Sequence, residues 1–179
     1  MEMKQMKISL SNIKVAIFDF DNTLAIHKDV DYLKHRNESE EKLLSYYLNA
    51  YLKPEKFYET IEPCNMSESI FRLINILRKN NVKLYCVSGM KFSFHLKAKE
   101  YFVHKYYGND IKVISTGNQK LKIDASKIIG KVNDCNLNEI LFVDDIKENV
   151  INFNKIGINA ILPDEAHLLI NSKVDENNE

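Results

Sequence analysis

Two pairs of aspartates follow short apolar segments of the chain, and their spacing could assemble a site for a cation. Asp19 and Asp21 come directly after one segment, and Asp144 and Asp145 come directly after another. Carboxylates within a few ångströms of one another oppose each other's ionisation unless a cation compensates them. An all-oxygen set of this kind suits a hard divalent ion such as Mg²⁺. The alternative is that both pairs only shape turns and cap helices.

The elements that must position these aspartates are predicted from the apolar pattern. Residues Val15–Phe18 are apolar without alternation, which is typical of a strand covered on both faces. Similar runs are found at 82–87, 111–114, 140–143 and 160–162. Apolar residues at helical spacing lie between them, at 70–77, 94–106, 123–132 and 150–156. Strands that alternate with helices predict an α/β protein with a doubly wound parallel sheet.

This fold class predicts where the acidic pairs meet. In an open parallel sheet, ligands bind at the carboxyl ends of the strands, near the point where the strand order reverses. The two acidic pairs and the residues Ser88 and Gly89 all follow predicted strands directly. We therefore expect all of these residues to lie at one edge of the sheet, where the four carboxylates would form a magnesium site.

One interval is too long for a single crossover helix. The chain between the first acidic pair and Ser88 contains residues 27–61, which carry an amphipathic helical pattern of their own. We expect 27–61 to form a small helical cap insertion above the strand ends. The core domain would then comprise 1–26 and 62–170, and 171–179 would be a polar tail.

Composition excludes several classes of function. The chain has 179 residues with 25 Lys+Arg against 25 Asp+Glu, so its formal net charge is zero. Such a chain has no global field for general nucleic-acid binding or for an anionic membrane. No stretch approaches the ~20 apolar residues that cross a bilayer. Three cysteines without a C-x-x-C pair favour a reducing compartment, so we expect a cytoplasmic protein without a membrane partner.

The first acidic pair lies in a segment that is similar to a known family signature. Residues 18–24 read FDFDNTL, which resembles the D-x-D-x-T-L signature of the haloacid dehalogenase (HAD) superfamily. Ser88 resembles the second motif of that family, and Asp144 with Asp145 resembles its acidic fourth motif. The resemblance implies a HAD-like Rossmannoid core and, for most members, a magnesium-dependent phosphatase.

The third motif of the family is a lone lysine upstream of the fourth. Lys120, Lys122 and Lys127 are the candidates. Lys122 is favoured because it opens the predicted helix 123–132, where the family places this residue, whereas Lys127 falls in the middle of that helix.

The resemblance also implies roles for the matching residues. Asp19 would be the nucleophile that attacks phosphorus and forms an aspartyl-phosphate. Asp21 would act as general acid and then as general base. Lys122 would stabilise the transferring phosphoryl group. The expected phosphate-binding residues are Ser88, Gly89, Asn22 and Lys122. The expected Mg²⁺ ligands are Asp19, the carbonyl of Asp21 and Asp145, with Asp144 nearby, either through water or as an orienting group.

The function expected from the sequence is therefore hydrolysis of a phosphomonoester that depends on Mg²⁺. A short cap leaves room for either a small phosphorylated substrate or a phosphorylated macromolecule, and for a homodimer that completes the cap. Two alternatives stay open: a catalytically silent HAD-fold domain that binds or regulates, and a phosphotransferase to an acceptor other than water. The order of the motifs along the chain argues against a receiver domain, in which an acidic pair comes first and the lysine last.

Overall fold

The computed structural model of this protein describes residues 8–27, 39, 41–42, 45, 61–64, 67–90 and 94–176. Its strands are β1 (Val15–Phe18), β2 (Ala25–His27), β3 (Ile61–Pro63), β4 (Lys83–Ser88), β5 (Lys112–Ser115), β6 (Ile140–Val143) and β7 (Asn159–Ile161). Its helices are α1 (Ser67–Lys79), α2 (Phe94–Tyr107), α3 (Lys122–Val132), α4 (Lys147–Lys155) and α5 (Ala166–Glu176). Nearly all of the predicted cap insertion 27–61 lies outside the described residues, and its helices stay a prediction.

Five strands form one parallel sheet in the order β5-β4-β1-β6-β7. The central strand is β1, and its last residue, Phe18, pairs with Cys86 of β4 and with Val143 of β6. From β1 the chain continues to β4 and β5 on one side and then crosses to β6 on the other. The strand order therefore reverses beside β1, and the predicted doubly wound parallel α/β sheet is confirmed.

The continuous apolar character of β1 follows from helices on both faces of the sheet. Ala16 and Phe18 belong to a buried cluster that includes residues of α1, α2 and α5. Val15 and Ile17 belong to a second cluster that includes residues of α3 and α4. All four β1 residues are completely buried. A fully buried Phe or Ile side chain contributes about 1.5–3 kcal/mol relative to an exposed one, so these faces fix the position of β1 firmly.

A two-stranded antiparallel ribbon was not expected from the sequence. β2 pairs with β3, so that Ala25 lies opposite Pro63 and His27 opposite Ile61. The ribbon joins the two ends of the segment between β2 and β3. Each strand has only three residues, which is too short for an alternating pattern to be recognised.

The segment predicted as a polar tail, 171–179, is helical in its described part. α5 extends to Glu176, so the backbone of 171–176 is helical. Leu169 and Ile170 are buried in the cluster that contains α1, and they anchor the helix against the domain. The polar residues that follow continue the same hydrogen-bonded helix, which sequence polarity alone does not reveal.

No helix in the described part of the chain combines the length and apolar character of a membrane span.

The buried face of α2 also differs from the apolar pattern of the sequence. The apolar pattern over 94–106 includes Tyr101, Phe102 and Tyr106, but Tyr101 is 69% exposed and Tyr106 is 37% exposed, and only Phe102 is buried. The inner face instead carries His95, Lys99, Phe102, Val103 and Tyr107. His95 and Lys99 therefore occupy buried positions of this helix, and Lys99 contacts residues of the candidate active site.

Candidate active site

The carboxyl ends of β1, β4 and β6 bring the predicted site residues together. These strands are neighbours in the sheet and end at Phe18, Ser88 and Val143. The amide of Asp19 donates to the carbonyl of Val143 at 2.8 Å, which extends the pairing of β1 with β6 by one residue. The nucleophile candidate is thus held by the backbone of the adjacent strand.

The loop after β1 is a tight turn built by the sequence that follows Asp19. The carbonyl of Phe20 accepts hydrogen bonds from the amides of Leu24 at 3.0 Å and Ala25 at 2.9 Å. Asn22 has a φ of 57°, a left-handed conformation that asparagine adopts more readily than most residues. Its side-chain amide donates to Asp145 Oδ2 at 3.0 Å, so the turn is tied directly to the acidic pair after β6.

One half of the site is a buried cluster of Lys122, Asp19 and Asp144. Lys122 is the first residue of α3, and its Nζ lies 2.7 Å from Asp19 Oδ1 and 3.0 Å from Asp144 Oδ2. The side chains of Lys122, Asp19 and Asp144 are 1%, 2% and 0% exposed. The lysine therefore bridges the first and fourth motifs at a position closed to bulk water.

Asp144 accepts hydrogen bonds at both of its carboxylate oxygens. Its Oδ1 accepts from the amide of Ile146 at 2.9 Å, and both of its oxygens accept from Asn149 Nδ2 at 3.1 Å. Together with Lys122, these donors fix the carboxylate in one orientation. The geometry favours the orienting role among the two that the sequence left open for Asp144.

The electrostatics of this half follow from its burial. Burial is the main cause that raises the pKa of Asp19 to about 7, with help from the neighbouring carboxylates of Asp144 and Asp21 and against the opposing effect of Lys122. Burial alone would lower the pKa of Lys122, but its contacts with Asp19 and Asp144 outweigh this and raise it. Lys122 is therefore a permanent cation, and Asp19 needs a further positive charge to ionise fully at neutral pH.

Three carboxylates have the arrangement of a cation site. One oxygen each of Asp19, Asp144 and Asp145 lies within 4.8 Å of the others. The donors are all oxygens, which suits a hard divalent ion better than a transition metal. A cation bound among these carboxylates would offset the burial that raises the pKa of Asp19. These residues fit Mg²⁺, and the carbonyl of Asp21 as a further ligand stays a prediction.

The other half of the site contains Ser88, Asp21 and a lysine that sequence reasoning missed. Lys99 of α2 donates from Nζ to Asp21 Oδ2 at 2.7 Å and to Ser88 Oγ at 2.9 Å. Its ammonium also lies 4.3 Å from the centre of the Phe20 ring, within reach of a cation–π interaction. The side chain of Lys99 is 7% exposed and that of Asp21 is 31% exposed, so solvent reaches this half at Asp21.

Gly89 and the lysine candidates for the third motif are the remaining predicted residues. The carbonyl of Ser88 accepts from the amides of Met90 and Thr116, both at 3.0 Å, which fixes the turn that contains Gly89. Of the three lysine candidates for the third motif, Lys120 is exposed and Lys127 is half-buried, whereas Lys122 lies among the carboxylates. The geometry therefore favours Lys122.

Comparison with solved structures identifies the fold. A haloacid dehalogenase-like family hydrolase from Streptococcus pneumoniae matches with a TM-score of 0.57 and 13% identity, over 84% of this chain and 84% of that chain. A phosphoserine phosphatase, solved as a phospho-aspartyl intermediate analogue, matches with a TM-score of 0.54 and 19% identity over 81% and 84%. A HAD family hydrolase from Deinococcus radiodurans, with bound phosphate and sodium, matches with a TM-score of 0.53 and 10% identity over 85% and 80%.

No protein-family model matches the chain, and no curated protein matches it by sequence. The structural matches are low in identity, so they establish the fold. The chain has the α/β fold of the haloacid dehalogenase-like hydrolases, as the motifs of its sequence predicted.

Proposed function

We propose that this protein is an enzyme of the HAD superfamily, a magnesium-dependent phosphatase that hydrolyses a phosphomonoester through an aspartyl-phosphate. One observation carries the proposal above the others. The ammonium of the buried Lys122 lies between Asp19 and Asp144, at the strand ends where Asp145 and Ser88 also lie. A protein that used these aspartates only as turn residues would have no need for a buried lysine among them.

Each residue has a defined task in this proposal. The carboxylate of Asp19 attacks phosphorus, the bond from phosphorus to the ester oxygen breaks, and the phosphoryl group is carried on Asp19. Asp21 gives a proton to the departing oxygen and then accepts one from the water that attacks the aspartyl-phosphate. Ser88 donates its hydroxyl to a phosphate oxygen. Lys122 keeps Asp19 oriented and adds positive charge beside the phosphoryl group.

The proposed ligands of Mg²⁺ are Asp19, Asp145 and the carbonyl of Asp21, and the ion supplies charge that offsets the repulsion between Asp19 and the phosphate. Asp144 orients this group by holding Lys122 and the start of α4. Asn22 shares Asp145 with the cation site, because its amide donates to that carboxylate.

Two of the structurally similar proteins support the chemistry. One is a phosphoserine phosphatase whose structure represents a phospho-aspartyl intermediate, and another is a HAD family hydrolase with bound phosphate. We extend to this chain only the reaction class, in which an aspartate carries a phosphoryl group. From the sequence we also propose a small phosphomonoester or a phosphorylated macromolecule as the substrate and the cytoplasm as the location, and a homodimer stays a prediction.

The test is hydrolysis of 4-nitrophenyl phosphate by the full chain with Mg²⁺, with EDTA and after Asp19→Asn. We expect turnover that requires Mg²⁺ and that falls by about 10⁴-fold or more in the variant, judging by the loss when a nucleophile is removed from other covalent catalysts. Asp124→Asn is a matched control, because Asp124 is exposed on α3.

Turnover that persists in EDTA, or in Asp19→Asn, would reject this mechanism. A wild-type protein that is folded and binds Mg²⁺, but hydrolyses none of a broad panel of phosphomonoesters, would instead favour a binding domain. Transfer of the phosphoryl group to an added alcohol in preference to water would identify a phosphotransferase.

A further inference from the structure

The second buried lysine of the site, Lys99, has no counterpart among the motifs of the sequence. It lies in the second turn of α2, and its residue is 5% exposed. A lysine is almost never buried unless its charge has partners. The partners of Lys99 are Asp21 and Ser88, which belong to the first and second motifs and are the groups proposed to work on the phosphate.

The hydrogen bond between Lys99 and Ser88 fixes the direction of the serine hydroxyl. A lysine ammonium has three donors and no acceptor, so Ser88 Oγ must be the acceptor of this 2.9 Å contact. The hydrogen of the Ser88 hydroxyl is then free to be donated elsewhere. An oxygen that accepts it along a tetrahedral direction lies about 4–5 Å from Lys99 Nζ, by the usual lengths of such bonds.

The distribution of charge at the strand ends explains why a cation close to this oxygen matters. Asp19, Asp144 and Asp145 lie together on one side, and Lys122 is engaged with two of them. Lys99 supplies a positive charge on the Ser88 side, where an incoming phosphate would otherwise approach the carboxylate of Asp21. The flexible stem of a lysine lets its ammonium shift toward a new anion while it keeps one of its present partners.

We propose that Lys99 is a phosphate-binding residue, a second cation that holds the phosphoryl oxygens on the side of the site opposite Lys122. This role rests on the proposed function, because that proposal places the phosphate beside Ser88. The two lysines then divide the work: Lys122 faces the nucleophile and the cation site, and Lys99 faces the serine and Asp21.

The experiment measures binding of inorganic phosphate to the full chain by calorimetry in the presence of Mg²⁺. The variants are Lys99→Met, Lys99→Arg and, as a matched control, Lys97→Met, since Lys97 is exposed on the same helix. Lys99→Met should raise the Kd of phosphate about tenfold to a hundredfold, the range expected for one lost hydrogen bond to a charged group. Lys97→Met should leave it unchanged, and Lys99→Arg should keep it within about tenfold of the wild type, because the charge and donors remain.

Phosphate binding separates this proposal from the proposed function. If the wild type binds phosphate and Lys99→Met weakens it, the role of Lys99 stands even if no ester is hydrolysed. An unchanged Kd in Lys99→Met overturns the role of Lys99 while leaving the hydrolase proposal intact, and a wild type that does not bind phosphate overturns it as well. Should circular dichroism show that Lys99→Met is unfolded, Lys99→Gln takes its place, with the same expected increase and the same contradicting result.

Discussion

Two lysines pair with aspartates at the same strand ends, and their ion pairs differ mainly in their access to water. Lys122 meets Asp19 and Asp144, and the three side chains are 0–2% exposed. Lys99 meets Asp21, whose side chain is 31% exposed. The salt-bridge distance from Lys122 to Asp19 equals that from Lys99 to Asp21, at 2.7 Å. Distance therefore does not distinguish the two contacts, whereas the surrounding medium does.

Because the ion pairs of Lys122 and Lys99 differ in burial, removing one member should have different consequences in the two cases. Removing one member of a buried ion pair leaves a charge without compensation in a medium of low dielectric constant. An ion pair near water can lose a member at lower cost, because solvent replaces the partner. The Lys122 cluster should therefore support both folding and chemistry, while the Lys99 contact should be open to rearrangement when a ligand arrives.

The largest expected effect comes from removing the buried lysine. Lys122→Met should lower the free energy of unfolding by about 3–5 kcal/mol, because Asp19 and Asp144 lose their shared cation. Lys99→Met should lower it by about 1–2 kcal/mol, since Asp21 keeps contact with water. Urea denaturation in EDTA measures both, and Lys127→Met, at a half-buried position of α3, is the control. Equal losses for the two site lysines would refute the distinction drawn from burial.

The burial of the Lys122 cluster should also make stability depend on pH, through the carboxyl group of Asp19. Burial raises the folded-state pKa of Asp19 from 3.8 to about 7, so between these values the unfolded chain has released a proton that the folded chain retains. Stability without a divalent cation should therefore fall as pH rises through this window, by an amount on the order of a few kcal/mol, and should level off above it.

Asp19→Asn removes this titration and should flatten the decline. The measurement is the difference between the unfolding free energies of wild type and Asp19→Asn from pH 4 to pH 8 in EDTA, which cancels groups common to both. A difference that does not vary with pH would show that Asp19 ionises in the folded protein as it does in the unfolded chain.

A smaller effect is expected at Asn149, which belongs to the buried half. Its amide donates to both oxygens of Asp144, so Asn149→Ala should lower stability by about 1 kcal/mol. Asn149→Asp places a carboxylate against a carboxylate and should lower stability by about 2–3 kcal/mol at pH 8. The order of the two variants, read from thermal denaturation, is the informative result. If Asn149→Asp is the more stable of the two, Asp144 does not need a donor at this position.

The sequence predicted the buried half of the site much better than the open half. Each acidic pair follows an apolar run, and the end of a buried parallel strand can be read from such a run. Lys122 was ranked first because it opens a periodic helix, and it does begin α3. Local patterns therefore sufficed to place these groups at one edge, whereas the order of the strands required tertiary contacts.

Lys99 was missed because only the apolar residues of 94–106 were used to predict α2. Tyr101 belongs to that apolar pattern but is exposed, and the buried face carries His95 and Lys99 at a spacing of one helical turn from each other. Phe102, Val103 and Tyr107 continue that face. A polar pair in register with buried apolar residues was the available signal, and it points to a helix that packs against a charged site.

The most direct test of the central claim is to find the phosphoryl group on Asp19. Borohydride reduces an acyl-phosphate to an alcohol, so protein quenched during turnover of a phosphomonoester should contain homoserine at position 19, detected by peptide mass spectrometry. The account predicts this product in the wild type with Mg²⁺ and its absence in Asp19→Asn. Homoserine at another aspartate, or none in a sample that is demonstrably turning over, would contradict it.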